Sequence, residues 1–267
     1  MTKPNLGTLI IIGGHEDKAG DRVILNEVAR RARDDGGRLV VVTAATQLPE
    51  EVAEDYRAAF GDLGIKHIDM LDVRTRAEAH EAALVDKVKA ARVIFFTGGD
   101  QLRITSQLGD SPLFQALLET YHTGGTLVGT SAGAAAMPGT MLISGPSDAS
   151  SKLPSLGMAP GLGLMPDAVI DSHFAERGRI GRLLGAVAQN PRNLGIGIDE
   201  DTAIVVERGI CFDVIGSGAV YVVDGSDISY SSLCETDADG VISIDDVRLH
   251  VLGTGDQYDL IARRPVR

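Results

Sequence analysis

Short β-branched runs alternate with stretches whose apolar residues recur every three or four positions. Residues 8–12 read as a strand, and residues 22–33 as a helix with Leu25, Val28, Ala29 and Ala32 on one face. The pattern repeats: a strand at 39–42 precedes a helix opening near Pro49, where proline suits a first turn. A strand at 65–70 precedes a helix at 78–90, and strands follow at 93–96 and 126–128. Strands this continuously apolar predict a parallel sheet covered on both faces, an α/β fold. Beyond residue 194 the texture changes to short β runs at 203–206, 211–215, 220–223 and 247–252, separated by glycine turns. These predict an antiparallel extension of the same sheet over about 203–267, within a single domain spanning 1–267. Residues 138–166 are rich in glycine, proline and serine, without a period, and read as a long loop, a candidate lid.

Composition narrows the function classes. The chain has 267 residues, enough for a substantial core, and a formal net charge of −12. Phosphate repels such a surface, so nucleic acid is not expected as the main partner. Two cysteines, Cys211 and Cys234, make no disulfide framework and suit a reducing compartment. No secretory leader and no membrane span is read from the sequence, which predicts a cytoplasmic protein. Neither a Gly-x-x-x-x-Gly-Lys-Ser/Thr nor a Gly-x-Gly-x-x-Gly fingerprint occurs, so no nucleotide cofactor is expected.

The chemistry gathers at strand ends, where parallel sheets place their sites. Gly129-Thr130-Ser131-Ala132-Gly133 follows one strand and opens a small-residue stretch, the context of a nucleophile elbow. Ser131 is the candidate nucleophile, and the N–H of Ala132 faces where an oxyanion would form. Gly98-Gly99 ends another strand, so Gly99 is the second candidate oxyanion donor, with Gln101 beside it as a substrate contact. His173 ends the run 169–172 and precedes Arg177, Arg179 and Arg182 in an otherwise acidic chain. That cluster suits a carboxylate-binding pocket, because guanidinium groups pair bidentately with carboxylates. His15, His67, His80, His122 and His250 read as surface or turn residues, with His15 bordering the site. The acid partner of His173 is expected from Asp199-Glu200-Asp201, and spacing leaves the choice among the three open. Gly195 and Gly197 alternate just before it, which implies close approach of another backbone or a ligand. Residues 235–242 partly imitate a calcium loop, but the flanks look like strands and Asp239-Gly240 suits a hairpin.

Taken together, these residues resemble the serine peptidase family that holds the cyanophycinases and the aspartyl dipeptidases. The likeness spans nearly the whole chain. It is carried by Ile11-Ile12-Gly13-Gly14 with Glu16-Asp17-Lys18, by Phe96-Thr97-Gly98-Gly99-Asp100-Gln101, and by the serine pentapeptide. Asp171 with His173-Phe174, the three arginines, and Gly195 through Glu200 continue it. The resemblance implies a flavodoxin-like, doubly wound sheet related to class I glutamine amidotransferases. It also implies a set of Ser131, His173 and Glu200, and a substrate pocket of Gln101, Asp171, Ser172, Arg177, Arg179 and Arg182. The implied activity is release of β-aspartyl-arginine dipeptides from cyanophycin, by a homodimer that needs no metal. The alternatives are an aspartyl dipeptidase acting on short Asp-X peptides and a non-catalytic small-molecule-binding module. Ser172 stands where the family commonly has glutamine, which bears on specificity.

Overall fold

The computed structural model describes residues 6–34, 38–144, 156–235 and 240–267. The first half alternates as the pattern predicts: β1 (Thr8–Ile12), α1 (Val23–Asp34), β2 (Arg38–Val42), α2 (Pro49–Asp62), β3 (His67–Leu71), α3 (Ala82–Lys89), β4 (Val93–Phe96) and α4 (Gln101–Leu108). Then come α5 (Pro112–His122), β5 (Thr126–Thr130) and the short α6 (Ala132–Ala136). The helix expected over 78–90 is broken at Glu81, whose extended backbone separates a 3₁₀ turn at Glu78–His80 from α3.

The second half supplies β6 (Thr140–Ser144), β7 (Gly157–Pro160), β8 (Ala168–Ser172), α7 (Ile180–Gln189), β9 (Leu194–Ile198), β10 (Thr202–Glu207) and β11 (Cys211–Gly216). It closes with β12 (Val220–Asp224), β13 (Tyr230–Ser231), β14 (Ile244–Asp245), β15 (Arg248–Leu252), β16 (Gln257–Asp259) and β17 (Arg264–Val266).

Among the described residues, nine strands form the central sheet, in the order β3-β2-β4-β5-β1-β10-β11-β16-β17. The five from β3 to β1 are parallel; β10 runs antiparallel to β1, and the remaining pairs are antiparallel too. Alternate residues of β1 serve opposite faces, as strand geometry requires. Ile10 and Ile12 pack with Leu25, Val28 and Ala29 of α1, while Leu9 and Ile11 belong to the core on the other side.

The C-terminal half departs from expectation. Among the described residues, the strands of this half that extend the central sheet are β10, β11, β16 and β17. Strands β12 and β15 join β9 and β8 in a separate four-stranded sheet, ordered β15-β12-β9-β8, with β8 and β9 parallel. An apolar period of two fixes which face of a strand is buried, but not which sheet the strand enters. The two sheets share one apolar core: Ile170, Ile196 and Val222 of the small sheet cluster with Leu9, Ile11 and Ile204 of the large one.

Two other expectations change. Part of the stretch read as a loop over 138–166 is an antiparallel pair, β6 with β7, kinked between Leu142 and Ser144, while residues 145–155 lie outside the described residues. The calcium-like stretch at 235–242 falls partly outside them as well, with 236–239 among those not described.

Candidate active site

Ser131 sits between β5 and α6 with φ 53° and ψ −110°, a positive-φ conformation outside the regions open to most side chains, at the turn from strand to helix. The flanking glycines are a steric necessity. A Cβ on Gly129 would come within 2.5 Å of the Gly133 carbonyl, and one on Gly133 within 2.5 Å of the Phe96 carbonyl oxygen. The N–H of Ala132, first in α6, has no partner within the helix, because the opening turn offers none.

His173 follows β8 and is held by its own N–H, which donates to the Gly13 carbonyl at 2.8 Å. Its ring lies against Gly14, where φ is 106° and a Cβ would fall 2.3 Å from the imidazole Cε1. The Gly13-Gly14 exit of β1 is therefore the seat of the histidine. Ser131 Oγ lies 2.8 Å from His173 Nε2, and His173 Nδ1 lies 2.7 Å from Glu200 Oε1. Burial pushes the His173 imidazole below the ordinary histidine range; Glu200 pulls the other way, and Arg177 adds to the lowering. Partial burial works to raise the Glu200 carboxyl, but hydrogen bonds from His173 and His15 hold it below the usual range.

The three acids separate by role. Asp199 accepts the N–H groups of Ala175 and Ala219, at 2.9 and 3.1 Å. Asp201 accepts the Asp17 N–H at 2.9 Å and the Ser217 hydroxyl at 2.8 Å. Glu200 alone of the three turns to His173. The alternating glycines of β9 make room for side chains rather than for backbone or ligand. A Cβ on Gly197 would meet the Phe174 ring at 2.5 Å, and one on Gly195 would meet Val187 and Leu183 of α7.

Two cavities flank Ser131. The outer one, about 350 Å³, is bounded by His15, Glu16, Lys18, Tyr56, His173 and Arg177. The inner one, about 200 Å³, is bounded by Gln101, Asp171, Ser172, Arg177, Arg179 and Arg182. Gly99 and Ser131 border both. The arginines do not act alike. Asp171, 1% exposed, accepts Arg179 Nη1 at 3.0 Å, Arg182 Nε at 2.9 Å, and Arg182 Nη2 as well. Arg179 Nη1 also donates to the Ser172 carbonyl at 2.6 Å. Arg179 and Arg182 are thus fixed to Asp171, whereas Arg177 is exposed. Three guanidiniums against one carboxylate leave the inner cavity cationic. Gln101 lines it, with its amide Nε2 donating to the Leu142 carbonyl at 2.7 Å.

Several site residues escaped the motif reading. Glu16 is buried and accepts the Thr130 hydroxyl at 2.6 Å and the Tyr56 hydroxyl, tying the β1 exit to the residue before Ser131. Burial, reinforced by Glu16, raises the Tyr56 phenol well above its ordinary value. The Lys18 ammonium lies 4.3 Å over the Tyr56 ring. His15 does more than border the site: its Nδ1 is 2.9 Å from Glu200 Oε2, and its ring meets His173 edge-on at 5.0 Å. Only the presence of Glu16-Asp17-Lys18 after two glycines hinted at this loop, since a linear sequence does not reveal a buried acid.

A hydroxyl, an imidazole and a carboxylate in hydrogen-bonded series at the rim of an α/β sheet are the parts of an acyl-transfer hydrolase. The comparisons agree in kind: the family model of peptidase family S51 matches residues 9–211. The chain belongs to that family and is a peptidase. It is 36% identical over 260 residues to the cyanophycinase of Geminocystis herdmanii, covering 97% of this chain and 96% of that one. It is likewise 36% identical to the cyanophycinase of a Nostoc species, covering 96% of this chain and 86% of that one. Among solved structures, a peptidase from an acI-B1 actinobacterium superposes with a TM-score of 0.71 at 22% identity, covering 97% of this chain and 99% of that one. A putative peptidase E protein from Listeria monocytogenes gives 0.53 at 18% identity, over 79% of this chain and 98% of that one.

Proposed function

We propose that this peptidase is a serine-type exopeptidase that hydrolyses cyanophycin, the arginine-bearing polyaspartate, to β-aspartyl-arginine dipeptides. The observation carrying this reading is the unbroken series from Ser131 Oγ through His173 to Glu200, opening onto a cationic cavity. The relatives named as cyanophycinases support the choice of polymer.

In this reading Ser131 Oγ attacks the α-peptide carbonyl of a terminal unit while His173 Nε2 takes its proton. Glu200 holds the imidazole tautomer and steadies the imidazolium. The N–H groups of Ala132 and Gly99 receive the oxyanion. His173 then protonates the leaving amine, and water, activated by the same imidazole, releases the acyl group. In cyanophycin the aspartate side chain is amidated by arginine, so the arginyl carboxylate is the free anion. The cationic inner cavity receives that carboxylate through Arg177 and the guanidinium edges that Asp171 leaves open. Gln101 and Ser172 complete that wall.

The scaffold reading is a flavodoxin-like sheet related to class I glutamine amidotransferases. Strands β3-β2-β4-β5 follow its order, and β1 takes the fifth place. The shared core supports a single domain. Two free cysteines support a cytoplasmic setting, and among the described residues no helix is long and apolar enough to cross a membrane. A homodimer is also proposed: Leu249 and Val251, each more than half exposed on edge strand β15, offer an apolar surface. Light scattering tests that point, a monomer mass arguing against it.

The test of function is incubation of the protein with purified cyanophycin and, separately, with short Asp-X peptides. Dipeptide release from the polymer is expected. Cleavage of Asp-X peptides with the polymer untouched would overturn the substrate assignment in favour of a dipeptidase.

A further inference from the structure

His15 places a second imidazole on the far oxygen of Glu200. His15 Nδ1 contacts Oε2 at 2.9 Å while His173 Nδ1 contacts Oε1 at 2.7 Å. One donor atom from each of the three residues can be chosen so that all lie within 4.8 Å of one another. A tetrahedral zinc ion holds its nitrogen and oxygen ligands at roughly 2.0–2.2 Å. Ligands of one such ion stand roughly 3.3–3.6 Å apart, so sharing it needs a small rearrangement in which the two imidazole–carboxylate contacts open and the imidazoles approach each other. His15 can supply it, because its side chain is 73% exposed and projects into the outer cavity. Two imidazoles and one carboxylate suit zinc and other nitrogen-seeking first-row ions, and suit magnesium or calcium poorly.

We propose that His15, His173 and Glu200 form an inhibitory zinc site built over the reactive serine. Capture of His173 by the ion stops the proton relay whichever ring nitrogen is used. Nε2 is the atom facing Ser131, and Nδ1 is the atom facing Glu200. Neither the fold nor the acyl chemistry requires the metal, so the site acts as a reversible brake. Lys18 and Arg177 line the same cavity and oppose a dication, which weakens this site relative to a structural zinc site. The binding is independent of the substrate assignment; its inhibitory consequence rests on the peptidase reading.

The experiment has two arms. In the first, zinc chloride is titrated calorimetrically into the Ser131→Ala chain, which keeps all three donors, and into the Ser131→Ala/His15→Ala chain. One ion per chain is expected for the former. A loss of more than about 100-fold in affinity is expected for the latter, beyond the 10–100-fold typical of losing outer-shell support. No binding to the Ser131→Ala chain, or equal binding to both, overturns the site. In the second arm, hydrolysis by the parent and by His15→Ala is followed against zinc, each relative to its own metal-free rate. The parent is expected to lose activity at micromolar zinc and to recover it with a chelator, with magnesium without effect. His15→Ala is expected to need far more zinc. Tight binding in the first arm with an uninhibited parent in the second overturns the brake while leaving the ion site standing. A parent without hydrolytic activity would sink the peptidase reading, yet the calorimetry would still decide the metal site.

Discussion

The two sheets contribute to the site in different ways. The central sheet delivers Ser131 through backbone constraint: a fully buried strand, two glycines that no side chain could replace, and one positive-φ turn. The small sheet delivers His173 and Glu200 through side chains and charge. Phe174 and α7 pack onto the bare face of β9, and the buried Asp171–arginine cluster fixes the end of β8. The reactive distances therefore depend on how one sheet sits on the other. The Gly13-Gly14 exit of β1, which holds the His173 N–H, is the joint between them. Removing a reactive group should remove chemistry and spare the fold, whereas damage to the buried charges and packing that hold the small sheet should cost stability as well.

Ser131→Ala should abolish the covalent route, lowering kcat by about a million-fold, with His173→Ala close behind and Glu200→Gln costing about ten-thousand-fold. Thermal melting should show all three folded like the parent. Comparable rates for parent and Ser131→Ala would contradict the assignment of the nucleophile. On the other side, Asp171→Ala leaves two buried guanidiniums without their carboxylate. Breaking a buried pair in this way costs about 3–5 kcal/mol. Urea unfolding should register that loss, and an unchanged midpoint would show that the cluster does not hold the small sheet. Arg182→Ala falls on the same side of the comparison, because its guanidinium is committed to Asp171.

At the joint, Gly14→Ala forces a side chain to φ 106° and into the His173 ring. Strain of this kind costs about 1–3 kcal/mol. The larger consequence should be a displaced imidazole, read as a fall in kcat with little change in KM. Arg177→Ala should be nearly silent in stability, within about 0.5 kcal/mol as for exposed sites. It should still raise KM for the polymer, and an unchanged KM would remove Arg177 from the carboxylate pocket.

The pH profile is the gentlest probe. His173 must be neutral to accept the serine proton, so kcat/KM should rise with pH as the imidazole deprotonates. Burial lowers its pKa, so the acid limb should have its midpoint below the ordinary value of about 6.5. Arg177→Ala removes a cation that adds to the lowering and should move that midpoint upward.

What the sequence made legible follows the same division. The parallel half of the central sheet was readable because most of its strands are short apolar runs closed by a turn, although β3 carries His67 and Asp69 and starts two residues later than expected. Gly129-Thr130-Ser131-Ala132-Gly133 was readable because its glycines answer a local steric demand. The small sheet was not, since pairing β12 with β9 rather than with β11 is decided by long-range packing that leaves no period in the chain. The choice among Asp199, Glu200 and Asp201 was likewise hidden, as three consecutive residues point in different directions and only the folded turn orients them. Asp171 and the arginines were visible as charges, but their mutual pairing, which leaves Arg177 as the exposed member, depends on burial. Glu16 and His15 were obscured for the same reason: each meets a partner more than a hundred positions away, Thr130 and Glu200 respectively.

The most direct test of the central claim is covalent labelling with a fluorophosphonate, followed by intact mass and peptide mapping. The account requires one adduct per chain, on Ser131, in the parent protein, and none in His173→Ala although that variant remains folded. Labelling of a different serine, or equal labelling of Ser131 without the histidine, would contradict a nucleophile activated across the two sheets.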